Sequence, residues 1–179
     1  MPTQGKSSTV AAVVVADPGF LRACREAAEL PRQALLAVAV ARGCWHYAPL
    51  WPDLVPEDRA GLPHEILGCA LLRGPADAET FQSIRCGAMV LSDLGNSPEL
   101  IATAAERLGV IGRVAHLARQ GLQTDRHPDF WEKVLAALPA KPSAEPDFLP
   151  GISRLTGETR PAGPGRSAVR QWLRTDRGR

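Results

Sequence analysis

Residues 62–121 limit the fold more than any other stretch, because apolar residues recur there at helical spacing and glycine and proline separate the recurrences. One set recurs at intervals of three and four positions: Phe81, Ile84, Ala88 and Leu91. This spacing places its members on one face of a helix. We expect Gly95 to end that helix in the left-handed conformation and Gly121 to close the last helix of the stretch. The stretch therefore predicts two consecutive helical hairpins.

Prolines mark the expected helix starts at a nearly regular interval. The four first-turn prolines are Pro31, Pro63, Pro98 and Pro128, at successive spacings of 32, 35 and 30 residues. Such periods suit stacked helix pairs and resemble the spacing of HEAT and armadillo repeats, although the residues match no family consensus. Residues 30–43 and 62–74 both begin with Leu-Pro and end with Arg-Gly, which assigns the ambiguous run 34–41 (ALLAVAVA) to a helix.

The sequence predicts an all-α domain over residues 10–140, built from six or seven short antiparallel helices stacked as an irregular, helical-repeat-like array. Residues 1–9 are polar and expected to be disordered. Residues 141–179 are rich in proline and glycine and are expected to form a disordered linker and basic tail, with a short helix at 167–174. The alternative is an α/β domain in which residues 10–16 (VAAVVVA) form the first strand.

Seven apolar residues at helical spacing are predicted to be core: Phe81, Ile84, Leu91, Ile101, Leu108, Val114 and Trp131. Residues 44–61 form a long loop between two predicted helices, and it contains Trp45, Tyr47 and Trp51. A loop of this length needs either packing or function to justify it.

Charge is unevenly distributed along the 179 residues, whose net charge is +2. Residues 1–150 carry 14 basic and 17 acidic groups (−3), and residues 151–179 carry 7 basic and 2 acidic groups (+5). The 18 arginines and 3 lysines agree with a GC-rich, bacterial-like coding bias, because the arginines are spread along the chain and not clustered as phosphate binding requires. The basic character therefore belongs to the tail.

The four cysteines are Cys24, Cys44, Cys69 and Cys86, without CxxC pairs. Three of them fall in apolar helical stretches, where a cysteine behaves as a small hydrophobe, so we expect a reduced, cytoplasmic protein. A structural zinc is the alternative, and its ligands would come from Cys44, His46, His64 and Cys69. His64-Glu65 resembles the start of a zincin HExxH motif, but Gly68 stands where the second histidine must be. We therefore expect the pair to begin a helix and expect no metal.

The sequence lacks three common catalytic and nucleotide-binding motifs. It contains no GxSxG, no GxxxxGK[ST] and no GxGxxG, and no apolar run approaches the ~20 residues of a membrane span. We expect no cofactor, no catalytic residue readable from the sequence and no membrane partner.

Two surfaces are candidates for binding. The tail segment combines apolar anchors with arginines, and its predicted partner-binding residues are Arg166, Val169, Arg170, Trp172, Leu173 and Arg174. A second set could line a basic groove or form a solvated helix face: Arg107, Arg113, His116 and Arg119. The leading hypothesis is a non-enzymatic adaptor that engages a protein partner through its helix array and basic tail. The alternatives are a small nucleic-acid-binding regulatory module, and an enzyme or α/β ligand-binding domain.

Overall fold

The part of the chain that the structure describes contains seven helices. The computed structural model describes residues 17–44, 53–74, 81–124, 127–139, 150–152 and 159–161. In these residues the helices are α1 (Pro18–Glu29), α2 (Arg32–Ala41), α3 (His64–Leu71), α4 (Phe81–Leu91), α5 (Pro98–Arg107), α6 (Ile111–Thr124) and α7 (Pro128–Ala137). The predicted all-α fold is confirmed, and residues 34–41 are helical as the internal comparison indicated. Residues 10–16 lie outside the described part of the chain.

The short helix α3 lies at the centre of the domain. It packs against α1, α2, α4 and α5, and every residue from Glu65 to Leu71 is buried. Such a helix cannot be amphipathic, which explains why its sequence is apolar all round. The second group is α5, α6 and α7, in which α7 packs on both of the others. The array is irregular because α3 packs against four helices, including α1 and α5, which are not its neighbours in the chain.

Two glycines bring α3 and α4 close together. A Cβ added to Gly87 would lie 2.8 Å from the carbonyl oxygen of Gly68, and one added to Gly68 would lie 2.5 Å from Cγ of Leu91. No side chain fits between the backbones at this point, so both positions need glycine for steric reasons. Ser83 adds a polar link, because its Oγ donates to the carbonyl of Leu71 at 3.3 Å.

Prolines begin helices in two different ways. Pro98 and Pro128 are the first residues of α5 and α7, as predicted. Pro31 and Pro63, however, are extended N-cap residues that precede the first helical residue, so their first-turn assignment was wrong by one position. Either site suits proline, since no intrahelical bond requires its missing N–H there.

Gly95 and Gly121 do not end helices in the way that the sequence predicted. Asn96, not Gly95, closes the end of α4: its Nδ2 donates to the carbonyl of Val90 at 2.8 Å, while the N–H of Gly95 donates to Asp93 Oδ1 at 2.9 Å. Positive φ values occur instead at Gly43 after α2 (112°), Gly74 after α3 (94°) and Gly109 after α5 (70°). Gly121 ends nothing, because α6 continues to Thr124.

Two arginines bind the carbonyl ends of helices. Arg73 Nη1 donates to the carbonyl of Ala28 in the last turn of α1 at 2.6 Å. Arg113 Nη1 donates to the carbonyl of Leu72, which follows α3. The last carbonyls of a helix have no partner within the helix and carry its negative dipole end, so a guanidinium stabilises them. These arginines therefore serve the fold.

The core prediction is confirmed wherever the structure describes the side chain. Six of the predicted core residues are buried: Ile84, Leu91, Ile101, Leu108, Val114 and Trp131. The side chain of Phe81 lies outside the described part.

After the helices, β1 (Pro150–Ile152) pairs antiparallel with β2 (Thr159–Pro161), a ribbon that the sequence analysis missed. The ribbon lies within residues 141–179, which were predicted to be disordered; the rest of that segment, residues 1–9 and the predicted helix at 167–174 fall outside the described residues. Within the described helices, none has the length and apolar character needed to cross a membrane.

Candidate functional site

A cleft of about 390 Å³ opens between α2, α3 and α4. Its floor is apolar and consists of the buried residues Leu67, Met89 and Val90, and its polar rim consists of the more exposed Arg42, His64 and Asp93. Gly43, Cys44, Ser92 and Leu94 complete the lining. An apolar floor with a few polar groups at the edge is the usual composition of a binding pocket.

Three elements position these side chains. Arg42 and Cys44 follow the end of α2, His64 is the first residue of α3, and Met89 lies near the end of α4. The close crossing of α3 and α4 at their two glycines fixes the floor of the cleft. The turn after α4 then brings Asp93 and Leu94 to the opposite rim.

The Arg42 guanidinium is held in place by three hydrogen bonds. Its Nε donates to Asp58 Oδ1 at 2.7 Å, its Nη1 to the carbonyl of Leu62 at 2.5 Å and its Nη2 to the carbonyl of Arg59 at 2.6 Å. The hydrogen bond from Arg42 keeps the pKa of the Asp58 carboxyl below its ordinary value. Arg42 thus fastens residues 58–62 to the end of α2, and its charge at the rim is balanced by Asp58.

The turn between α4 and α5 is also fixed from both sides. Glu65 is buried in α3, and its Oε1 accepts the N–H of Ser97, the N-cap residue of α5, at 2.9 Å. Ser97 Oγ donates to Glu99 Oε2 at 2.8 Å, and its oxygen accepts the N–H of Leu100 at 3.3 Å. Hydrogen bonding from its own backbone N–H, then from Ser97, lowers the pKa of Glu99. Glu65, predicted only to begin its own helix, therefore also anchors the next hairpin.

Leu94 stands on the ridge between two concave surfaces. Its side chain is 48% exposed, although it is large and apolar. On one side it borders the cleft, and on the other it borders the α5–α7 hollow, whose lining includes Asn96, His127, Asp129, Phe130 and Lys133. The hollow is the more polar of the two, so the cleft is the better receptor for an apolar group.

Of the three candidate zinc ligands that the structure describes, two lie at the same site. Cys44 and His64 both line the cleft, but Cys69 is buried in the core, where its thiol donates to the carbonyl of Ile101 at 3.8 Å. His46 lies outside the described residues. Among the residues that the structure describes, no three His, Cys, Asp or Glu side chains are grouped as a metal ion would need.

Two of the buried thiols, those of Cys69 and Cys24, are poor candidates for a nucleophile. Burial raises the pKa of Cys69, and the neighbouring Cys24 and Glu65 raise it further. Burial likewise raises the pKa of Cys24, against the opposing charge of Arg107. A thiol in such surroundings remains protonated and is a poor nucleophile.

Nucleophilic catalysis also needs a base hydrogen-bonded to the attacking group. Cys44, His64 and Asp93 share the cleft, yet no hydrogen bond is found between any two of these side chains in the described structure. These three side chains therefore do not form a hydrogen-bonded nucleophile and base in the described structure.

The predicted basic groove has mixed surroundings. Arg107 and Arg119 are exposed, while Arg113 and His116 are partly buried. Arg113 is committed to the carbonyl of Leu72, which leaves less of its guanidinium for a ligand. Ligand binding at this groove stays a prediction. Partner binding by the tail also stays a prediction, because its six residues lie outside the described part of the chain: Arg166, Val169, Arg170, Trp172, Leu173 and Arg174.

Sequence reasoning did not identify the cleft. Its polar rim comes from positions 42, 64 and 93, which only the packing of three helices brings together. One sequence signal pointed to it: Leu94 is an apolar residue in the otherwise polar turn SDLGNSP. A large apolar side chain exposed in a turn often belongs to a binding surface.

Comparison with protein-family models, curated proteins and solved structures finds no match for the chain.

Proposed function

We propose that the protein is a non-enzymatic binding module whose cleft receives an apolar segment of a protein partner. The observation that carries the proposal is the combination of an apolar floor, a fixed polar rim and a half-exposed leucine at its edge. Apolar anchors inserted into such a pocket dominate the energy of many protein interfaces.

The rigidity of the rim supports this proposal. Arg42 is held by three hydrogen bonds and the turn before α5 by Glu65, so the cleft walls lose little conformational freedom when a ligand enters. Preorganised walls reduce the entropic cost of binding. Segments with two or three apolar side chains at helical spacing fit a groove of this type.

A random peptide library displayed on phage, selected on the full chain, tests the proposal. Enriched peptides are expected to carry apolar anchors and to bind the full chain in fluorescence polarisation. Leu94→Asp should weaken their binding at least about tenfold, because it places a carboxylate where an apolar group must be desolvated. Leu94 is exposed, so this variant is expected to fold, which a circular dichroism melt checks.

Two control variants locate the site. Leu122→Asp makes the same change at another exposed leucine, on α6, and should leave binding intact. Lys133→Glu alters only the α5–α7 hollow and should also have little effect. Peptides that bind wild type and Leu94→Asp equally, or that are lost with Lys133→Glu alone, would overturn the proposal.

A further inference from the structure

We propose that the cleft is also the docking site of the protein's own C-terminal segment, residues 166–174, which competes there with the apolar segment of a partner. This inference rests on the proposed function, because it assigns a regulator to the same cleft. The segment reads RSAVRQWLR, and its apolar residues are Val169, Trp172 and Leu173.

The spacing of these three residues suits the cleft. Positions i, i+3 and i+4 fall on one face of a helix, which is the pattern that a helix uses to enter an apolar groove. A tryptophan buries ~150–250 Å² of surface, which makes it a strong anchor. The cleft of about 390 Å³ has the three apolar floor residues needed to cover such a ring.

The chain is long enough to make this contact. Leu138 follows the last helix, and Trp172 is 34 residues further along the chain. The β1–β2 ribbon pairs Pro150 with Pro161, which removes 11 residues from that span and leaves a spacer of 23. A spacer of 23 residues can span up to about 80 Å when it is fully extended, whereas the radius of gyration of a domain of this size is only about 14 Å. The segment therefore reaches any face of the helical domain.

Charge favours the segment over a neutral competitor. Residues 151–179 carry +5, whereas residues 1–150 carry −3. At the cleft, Asp93 is an exposed carboxylate on the rim, and the positive charge of Arg42 is balanced by Asp58. Arg170 and Arg174 flank the apolar residues and supply cations for such a rim. These attractions are weak and screened by salt, so the apolar anchors must provide the specificity.

The test uses a fluorescein-labelled peptide of residues 164–179, titrated with full-length variants in fluorescence polarisation. Trp172→Ala removes the internal competitor, so this full-length variant should bind the peptide at least about tenfold more tightly than wild type does. That ratio follows from the millimolar effective concentration of a tethered segment, compared with a dissociation constant of ~100 µM or below. Adding Leu94→Asp to Trp172→Ala should abolish binding, while adding Leu122→Asp should not.

Asp93→Arg provides an independent check on the rim. Combined with Trp172→Ala, it should weaken peptide binding severalfold at low salt and less at high salt. Equal binding by wild type and Trp172→Ala would show that the native tail does not compete. Binding that survives Leu94→Asp would place the peptide elsewhere, and either result overturns the inference.

The two proposals fail separately. If peptides selected from the library bind through Leu94 but the 164–179 peptide does not, the binding function stands and the internal competitor is excluded. Because the tail would block the cleft of the wild-type chain, the library selection is repeated on full-length Trp172→Ala. If the 164–179 peptide binds that variant through Leu94 and no library peptide does, the tail is the ligand of the cleft and the partner proposal is wrong.

Discussion

Gly121 in α6 faces the indole ring of Trp131 in α7 so closely that a Cβ at position 121 would lie 2.5 Å from Cγ, Cδ1 and Nε1 of the ring. Trp131 is completely buried and among the largest side chains of the core. The indole ring of Trp131 therefore fits in the core only because residue 121 has no side chain. The pair joins α6 to α7 and explains a glycine in the interior of a helix, where it is otherwise unfavourable.

Gly121→Ala is predicted to destabilise the protein. Alanine favours the helix by ~1 kcal/mol over glycine, but the new methyl group must displace a buried indole, and such overpacking costs ~1–3 kcal/mol. The difference of the two terms is a net loss of up to ~2 kcal/mol, centred on about 1 kcal/mol, in the free energy of unfolding, measured by urea denaturation with circular dichroism. Gln123→Ala, at an exposed position of the same helix, is the control and should change stability by less than ~0.5 kcal/mol. A stabilised Gly121→Ala variant would contradict the close contact.

The same pair shows where sequence reasoning succeeded and failed. Helical spacing correctly placed Trp131 in the core, because burial of an apolar face depends on local periodicity. Gly121 was taken for a helix end, since glycine usually favours termination when only neighbouring residues are considered. Its actual role depends on a residue ten positions further on in another helix. The cleft could not be predicted from the sequence for the same reason, because only tertiary packing brings Arg42 and Asp93 to the same cleft.

Arg42→Lys is predicted to loosen the segment at residues 58–62. Lysine carries the same charge but cannot donate along the three directions that the guanidinium uses, so carbonyls of Arg59 and Leu62 lose a partner. Because the Arg42 side chain is only 14% exposed, we expect a loss of ~1–3 kcal/mol in urea denaturation. Arg22→Lys is the matched control: that side chain is 72% exposed and pairs with Glu26 at 3.7 Å, so its replacement should be nearly neutral. Equal stabilities of the two variants would contradict the structural role of Arg42.

Asp58 is predicted to contribute to stability only above acid pH. Its pKa in the folded protein is lowered, mainly by the hydrogen bond from Arg42, so the folded state binds a proton less readily than the unfolded chain does. The contribution is complete above the unfolded pKa of ~3.9 and is lost as the pH falls through the lower folded pKa. Wild type should therefore exceed Asp58→Asn in stability at pH 7, and the difference should shrink below about pH 4. A difference that grows toward low pH would reverse the assigned direction; Asp53→Asn serves as the exposed control.

The four thiols are predicted to be unreactive in the folded protein. All are buried, and burial raises the pKa of Cys69 and of Cys24. At pH 8, a thiol-specific aromatic disulfide should react rapidly with less than one cysteine per folded chain. After unfolding in urea, the reagent should modify all four cysteines. Rapid modification of one native thiol would show that its surroundings open readily, and replacement of each cysteine by serine in turn would identify it.

Gly68 and Leu91 are predicted to be energetically coupled across the α3–α4 crossing. Leu91 is fully buried, so Leu91→Ala should cost ~2–5 kcal/mol through lost burial and the cavity it leaves. In Gly68→Ala the new methyl group would lie 2.5 Å from Leu91 Cγ and 2.6 Å from Leu91 Cδ2, an overpacking that costs ~1–3 kcal/mol against the ~1 kcal/mol that alanine gains over glycine in a helix. Those two atoms are the ones that Leu91→Ala removes, which leaves space for the new methyl group.

The double variant should therefore lose less stability than the sum of the two single variants. A double-mutant cycle in urea is expected to give a coupling of about 1 kcal/mol or more, the range seen for residues in contact. Gly121→Ala combined with Leu91→Ala is the control: Gly121 faces Trp131 instead of Leu91, so these losses should add within ~0.5 kcal/mol. Additive losses for Gly68→Ala and Leu91→Ala would mean that the carbonyl of Gly87, 3.3 Å from the added methyl group, sets the limit on this crossing and not the leucine.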